Sequence, residues 1–270
     1  MPELPEVETS RRGIAPWVEG QTVTKVIVRE RRLRWPVPPE IDRELPGQTI
    51  RSLTRRAKYL LFKTDAGTAM LHLGMSGSVR IIDADEPAAK HDHVDIQLES
   101  GKALRFRDPR RFGSFLWARD PFEHKLLRNL GPEPLSQDFD GDYLWQKARG
   151  RRVSIKQFIM NAFIVVGVGN IYASEVLFLS GIHPRRSAGR IANGRMTLLV
   201  DSIKTVLERA IAAGGTTLKD FSGGDGEPGY FQQQLEVYGR AKESCRRCER
   251  EISLIVIGQR STFYCKNCQH

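Results

Sequence analysis

Cysteine is missing from this 270-residue chain until position 245. No apolar run approaches the ~18 residues that a membrane-spanning helix needs. The opening Met1-Pro2-Glu3-Leu4-Pro5-Glu6 lacks the basic and apolar regions of a secretory signal, so a cytoplasmic protein is expected. Acid is scarce: 32 Asp+Glu face 42 Lys+Arg, for a net charge of +10. That excess favours a polyanionic partner. Internal repeats and low-complexity tracts are also lacking. A hydrophobic content of 40% with 27% charged residues argues against wholesale disorder. The length allows one large domain or two ordinary ones, with enough chain to bury a core.

All four cysteines stand near the end, at Cys245, Cys248, Cys265 and Cys268. Two C-x2-C pairs separated by 16 residues suit four thiolates around one tetrahedral zinc, with a hairpin between the pairs. Four sulfur ligands close the coordination sphere, so the metal is expected to be structural. Disulfide pairing is the other reading, disfavoured in a chain without a secretory signal.

Ahead of the cysteines, the character changes once. Strands are predicted over 22–28, 49–53, 59–62, 78–82, 94–98 and 103–107, with Ser100-Gly101 as a hairpin turn. Many short strands point to a sandwich or barrel. A helix is predicted to start near Pro5. Gly131-Pro132-Glu133-Pro134 breaks the pattern and begins a linker reaching Gly141. Helices are predicted over 153–165, 171–179 and 196–213, the last ended by Gly214-Gly215.

Several residues offer chemistry. Loss of Met1 would leave Pro2 as a terminal secondary amine, able to form an iminium with an aldehyde-like carbon. A terminal α-amine titrates near ~7.7–8.0 against ~10.4 for lysine, so far more of it is free at neutral pH. Glu3 and Glu6 beside it suit acid–base work, or simply the first turn of a helix. Gly167-Val168-Gly169-Asn170 precedes a helix, where Asn170 suits an N-cap and backbone amides suit phosphate. The stretch 105–113 interleaves four Arg with two Phe: phosphate neutralisers and a base wedge, or a strand pair with Phe inside and Arg in water. Arg55-Arg56-Ala57-Lys58 is a second basic cluster, or simply a solvated face, and Met75 sits on a turn between Gly74 and Gly77, as a wedge or as local packing.

These motifs stand in one order: Pro2-Glu3-Leu4-Pro5-Glu6-Val7-Glu8, Arg56-Ala57-Lys58-Tyr59-Leu60-Leu61, residues 72–77, 108–113 and 167–173, and the cysteine hairpin. Over essentially its whole length the chain resembles the bacterial formamidopyrimidine-DNA glycosylase family. The resemblance implies an α+β multidomain fold. Residues 1–131 would form a β-sandwich with flanking helices, 132–241 a helix–two-turn–helix domain, and 242–270 a four-cysteine zinc-finger hairpin, with DNA between the domains. It implies excision of oxidised purines from duplex DNA by a monomer that also cleaves abasic sites. Pro2, Glu3, Lys58 and Arg260 would be catalytic, with Pro2 attacking C1′ of a flipped nucleotide. Met75, Arg110 and Phe112 would fill the gap, while His91, Asn170 and Arg260 would contact DNA. A loop near 219–231 would cover the flipped base. Zinc is the one cofactor implied. The chain departs from the family pattern at Asn161-Ala162-Phe163, where an Asp is common in place of Asn161. A related endonuclease VIII type prefers oxidised pyrimidines, and Leu4, the Met75/Arg110/Phe112 set and the 219–231 stretch favour the purine type. A non-catalytic damage-binding protein is the reading from another class, disfavoured by the presence of Pro2, Glu3 and Lys58 together.

Overall fold

A computed structural model describes residues 2–215 and 234–270. The expected 219–231 loop lies outside the described residues. The described chain divides into two compact units, residues 2–129 with 213–215, and 130–212 with 234–270.

The first unit opens with helix α1 (Leu4–Val18), followed by β1 (Val23–Val28) and a short α2 (Glu40–Glu44). Seven strands come next: β2 (Ser52–Arg56), β3 (Tyr59–Lys63), β4 (Thr68–His72), β5 (Ser78–Asp83), β6 (Asp92–Leu98), β7 (Lys102–Arg107) and β8 (Ser114–Ala118). They form two four-stranded antiparallel sheets, ordered β1-β6-β7-β5 and β2-β3-β4-β8. Alternate residues from both sheets meet in one core: Val94, Ile96, Leu104 and Phe106 from the first, Leu60, Phe62, Leu71 and Phe115 from the second. Helix α1 adds Val7, Ile14 and Val18 to it. Each such side chain contributes about 1.5–3 kcal/mol by leaving water. The architecture is therefore the sandwich, not the barrel. Strands β4 and β8 were not predicted, and β2 begins three residues later than expected.

The second unit holds α3 (Gly141–Ala148), α4 (Ile155–Ile159), α5 (Asn170–Leu179), α6 (Asn193–Ala212) and the hairpin β9 (Ser253–Ile257) with β10 (Arg260–Tyr264). Helix α5 is buried from Ile171 to Phe178, so it forms the centre against which α4, α6 and β10 pack. The helix expected over 153–165 stops at Ile159. There Asn161 Oδ1 accepts from Phe163 N at 3.0 Å, and its carbonyl accepts from Ile164 and Val165. That turn spends the backbone groups a longer helix would need. It also shows that an amide oxygen at position 161 can close this turn without a carboxylate. Helix α3 occupies residues expected to follow a linker, and Asp140 caps it by accepting from Tyr143 N at 2.7 Å.

Candidate functional site

Strand register gathers one set of candidates. Tyr59 pairs with His72 and His72 with Ser114, so the ends of β3, β4 and β8 form one row. The β2–β3 turn, the turn after β4 and the loop before β8 therefore lie at the same end of that sheet. The first carries Lys58 in a two-residue turn, with Ala57 at φ 54°. The second carries Met75, half-buried, and the third carries Arg110 and Phe112. Phe112 is 43% exposed, and the Arg110 guanidinium lies 5.1 Å from its ring centroid. Between Lys58 and the Met75 turn stands His72. Burial, with the charges of Lys58 and Arg34, pushes it down to about 4. It is neutral near pH 7, and its Nδ1 accepts from Gly74 N at 2.9 Å.

Helix α1 is aligned with β2. Leu53 N donates to Glu19 Oε1, Arg11 donates to Leu53 O, and Arg55 donates to Glu8. Moving from Glu19 to Glu8 along α1 thus follows β2 toward its turn, and the N-terminus of α1 points to the Lys58 end. There Glu3 is the N-cap in a reciprocal box: its side chain accepts from the backbone of Glu6, and Glu6 Oε2 accepts from Glu3 N at 2.8 Å. Pro2, Glu3 and Glu6 are all buried. The capping and acid–base readings of Glu3 and Glu6 are thus compatible. A Cβ on Gly215 would stand 3.1 Å from Glu6 Oε1, so the chain beyond α6 presses close to the same carboxylate.

Burial would favour a neutral Glu8, but hydrogen bonds from Arg11 and Arg12 and the Arg55 charge outweigh it and hold its carboxyl below the usual range. Arg55 is therefore a helix-to-hairpin tie and not part of a solvated basic face. Arg105 departs further from expectation. It is fully buried, donating to Asp95 at 2.9 and 2.8 Å and to the carbonyls of Glu86 and Pro87. It fixes the segment before His91 to the sheet and faces neither water nor phosphate. His91 is half-buried, 6.4 Å from the His93 ring, and its carbonyl accepts from Asp108 N.

The second unit brings Asn170 and Arg260 together. Asn170 is the first residue of α5, not its cap, which is Gly169. Its Nδ2 donates to Ser261 O at 3.0 Å, next to Arg260. Arg260 follows the tight β9–β10 turn, where Gly258 and Gln259 take φ 55° and 60°. Fully buried Lys156 on α4 donates to Ser261 O at 3.1 Å and Thr262 Oγ1 at 2.7 Å, holding the start of β10. The sequence reading missed Lys156; a single Lys within the apolar run of α4 was the available signal.

The four cysteine sulfurs lie within 4.8 Å of one another. Separations of 3.4 Å for Cys248–Cys265 and 3.9 Å for Cys245–Cys268 exceed a disulfide bond and match the ~3.8 Å edge of a zinc–thiolate tetrahedron. Cys245 and Cys265 also pack with Phe178, Val237 and Ile252, joining the finger to α5. The donor set fits one structural zinc. Glu175 on α5 reinforces the joint by accepting from Glu236, Val237 and Tyr238 backbone N–H groups at 2.8, 3.0 and 2.8 Å.

Fold and finger define the class: a β-sandwich protein with a helix–two-turn–helix domain and a four-cysteine zinc finger. The N-terminal domain model of formamidopyrimidine-DNA glycosylase matches residues 1–115, its H2TH domain model residues 130–222, and the zinc finger found in FPG and IleRS residues 242–270. The formamidopyrimidine-DNA glycosylase of Pseudomonas fluorescens is 60% identical over 269 residues, covering 100% of both chains. That of Photobacterium profundum is 58% identical with the same coverage. A Lactococcus lactis FPG variant solved with Fapy-dG DNA superposes with a TM-score of 0.92 at 35% identity, covering 99% of each chain. The Lactococcus lactis Fpg complex with abasic-site DNA gives 0.91 at 35% identity, again over 99% of each. The chain belongs to the formamidopyrimidine-DNA glycosylase family.

Proposed function

We propose that this protein is a bifunctional DNA glycosylase and abasic-site lyase of base excision repair, acting on 8-oxoguanine and formamidopyrimidines in duplex DNA. The observation that carries the reading is the capped, buried start of α1, a helix whose ties to β2 run toward the Lys58 turn, at the sheet end shared with Met75, Arg110 and Phe112. Full-length relatives and neighbours solved with Fapy-dG or abasic-site DNA support the substrate class.

The chemistry follows from a secondary amine and a nearby carboxyl. The damaged nucleotide leaves the stack because C1′ is inaccessible inside it. Met75 and Phe112 fill the gap, and the Arg110 guanidinium donates to the orphaned cytosine. The amine lone pair of Pro2, exposed by removal of Met1, attacks C1′. The C1′–N bond breaks, its electrons leave with the base, and the alkylated Pro2 nitrogen loses its proton as the base takes one up, which restores the Pro2 lone pair. The C1′–O4′ bond then opens as Glu3 donates a proton to the sugar oxygen, leaving an iminium. The iminium acidifies C2′–H; its removal expels the 3′ phosphate, and a second elimination from C4′ expels the 5′ phosphate. Lys58 supports the phosphate beside the lesion. His91, Asn170 and Arg260 hold the backbone, and Arg260 fixes the phosphates about the reacting sugar. Zinc shapes the finger and takes no part in the chemistry.

In this reading residues 1–131 supply the nucleophile and wedge, 132–241 the helical DNA-binding part with the 219–231 loop over the base, and 242–270 the finger. The protein works as a monomer in the bacterial cytoplasm, on the nucleoid. Among the described residues no helix is long and apolar enough to cross a membrane. The test is strand cleavage of matched duplexes containing 8-oxoguanine or thymine glycol. Faster cutting at 8-oxoguanine, with phosphate on both new ends, is the expected result. Preference for thymine glycol, or no cutting of either, overturns the reading.

A further inference from the structure

We infer that Asp108 is a positioning residue for lesion probing: its carboxylate locks the Met75 turn and the 108–113 loop into one preformed wedge. This rests on the role given to Met75, Arg110 and Phe112 above, and identifies the group that sets their spacing.

Asp108 is fully buried. Its Oδ1 accepts from Ser76 Oγ at 3.0 Å and from Arg110 N at 3.3 Å, and its Oδ2 accepts from Gly113 N at 2.7 Å. One carboxylate thus holds the residue after Met75, the backbone of Arg110 and the residue after Phe112. Its own backbone is fixed as well. Asp108 N donates to His91 O at 3.0 Å, and its carbonyl accepts from His93 Nε2 at 2.8 Å and from Arg111 N at 3.2 Å. The His91 carbonyl, the Met75 turn and the Arg110–Phe112 pair therefore share one hub.

The two turns also touch backbone to backbone. A Cβ on Gly74 would lie 2.4 Å from Gly113 N and 2.4 Å from Phe112 C, and Gly74 takes φ +70°. Only glycine leaves the turns this close. Yet the side chains they carry point outward: Arg110 is exposed, and Phe112 is 43% exposed with the Arg110 guanidinium over its ring. A tightly bonded base under an exposed aromatic and cation is the mark of preorganisation. Its ordering cost is met during folding and does not fall on the step that unstacks the lesion. Unstacking already costs a few kcal/mol. A loose wedge would add the entropy of aligning two loops to that barrier.

Ser76→Ala isolates the clamp, because it removes the bond between the turns while leaving the Arg110 and Gly113 bonds to Asp108. The experiment compares single-turnover excision from an 8-oxoguanine·cytosine duplex with cleavage of an abasic site in single-stranded DNA, where no partner strand has to be wedged. Phe112→Ala is the reference, and 2-aminopurine beside the lesion reports unstacking. Loss of one net hydrogen bond predicts a roughly three- to tenfold fall in the duplex-to-single-strand rate ratio for S76A. The 2-aminopurine rise should slow in parallel, and in Asp108→Asn, which puts the Arg110 bond at risk as well, discrimination between cytosine and adenine opposite the lesion should narrow. Asp108→Asn, which cannot accept at all three sites, should lower the ratio further. If F112A lowers the ratio but S76A and D108N keep the wild-type value, the wedge stands and the clamp is wrong. Equal losses on both substrates with a lowered Tm would make Asp108 a folding residue and overturn the proposal. An unchanged ratio in F112A would overturn wedge and clamp together.

Discussion

At the residue scale, Glu3 is an N-cap whose proposed acid–base role can be separated from its structural one, and His72 is a neutral imidazole with a pH signature. Glu3 caps α1 through an oxygen acceptor, which Gln also possesses, but only Glu carries a titratable proton. Glu3→Gln is therefore expected to leave Tm within a few degrees while base excision falls roughly 10²–10⁴-fold, the usual worth of a general acid–base group. Imine formation at a preformed abasic aldehyde should fall less, and single-turnover assays on the two substrates separate these effects. His72 makes a pH prediction. Its folded value, about 4, lies below its ordinary 6.5, so the unfolded chain binds the extra proton between those limits. The contribution of neutral His72 is complete above pH 6.5 and is lost as pH falls toward 4. Protonation would also turn Nδ1 from acceptor to donor and break its bond from Gly74 N. Urea midpoints should fall across that window, and His72→Gln should show a shallower fall. Equal slopes in the two proteins would remove His72 from the account.

At the scale of elements, α1 is tied to β2 by Glu8, which receives Arg11, Arg12 and Arg55 at 2.8, 2.9 and 3.2 Å. Its carboxyl is held below the ordinary 4.5, so its stabilisation is present above that value and disappears as pH falls through the lower folded value. Glu8→Gln should cost about 1–3 kcal/mol near pH 7 by weakening bonds to three guanidinium groups. It should also remove part of the acid sensitivity below pH 4.5; denaturant melts at several pH values check both. Elements with local signatures were the legible ones. Ser100-Gly101 does turn β6 into β7, and positive-φ Gly214 and Gly215 do follow α6. Strand β4 escaped because Thr68, Ala69, Met70 and Leu71 are buried in succession, which erases the two-residue alternation a one-sided strand shows. The 153–165 helix was overextended because apolar residues continue through Ile164 and Val165 although the turn at Asn161 ends the helix. Arg105 read as a surface cation because its partners, Asp95 and Glu86, lie 10 and 19 residues away. The Ser76–Asp108 bond spans 32 residues, so no local pattern carried it.

At the scale of the whole molecule, a basic chain carries a capped helix start, where the proposed Pro2 amine would stand, and a four-thiolate finger. The finger was legible because its spacing is local, and it positions Arg260 at the tip of its hairpin. Cys248→Ser should lower zinc content and DNA affinity together, whereas Arg260→Ala should weaken DNA binding with zinc retained. Metal analysis beside a DNA titration checks this, and full zinc loss with unchanged affinity would break the link. The central claim is that Pro2 is the nucleophile. It is tested most directly by borohydride trapping on 8-oxoguanine DNA, followed by intact mass and peptide mapping. At its reference pKa only about 0.1% of a lysine is unprotonated near pH 7.4, so a terminal amine is the favoured nucleophile. The account predicts a protein lacking Met1, trapped as a reduced amine adduct on Pro2. An adduct on Lys58, or full trapping by a protein whose N-terminal amine is blocked, would contradict it.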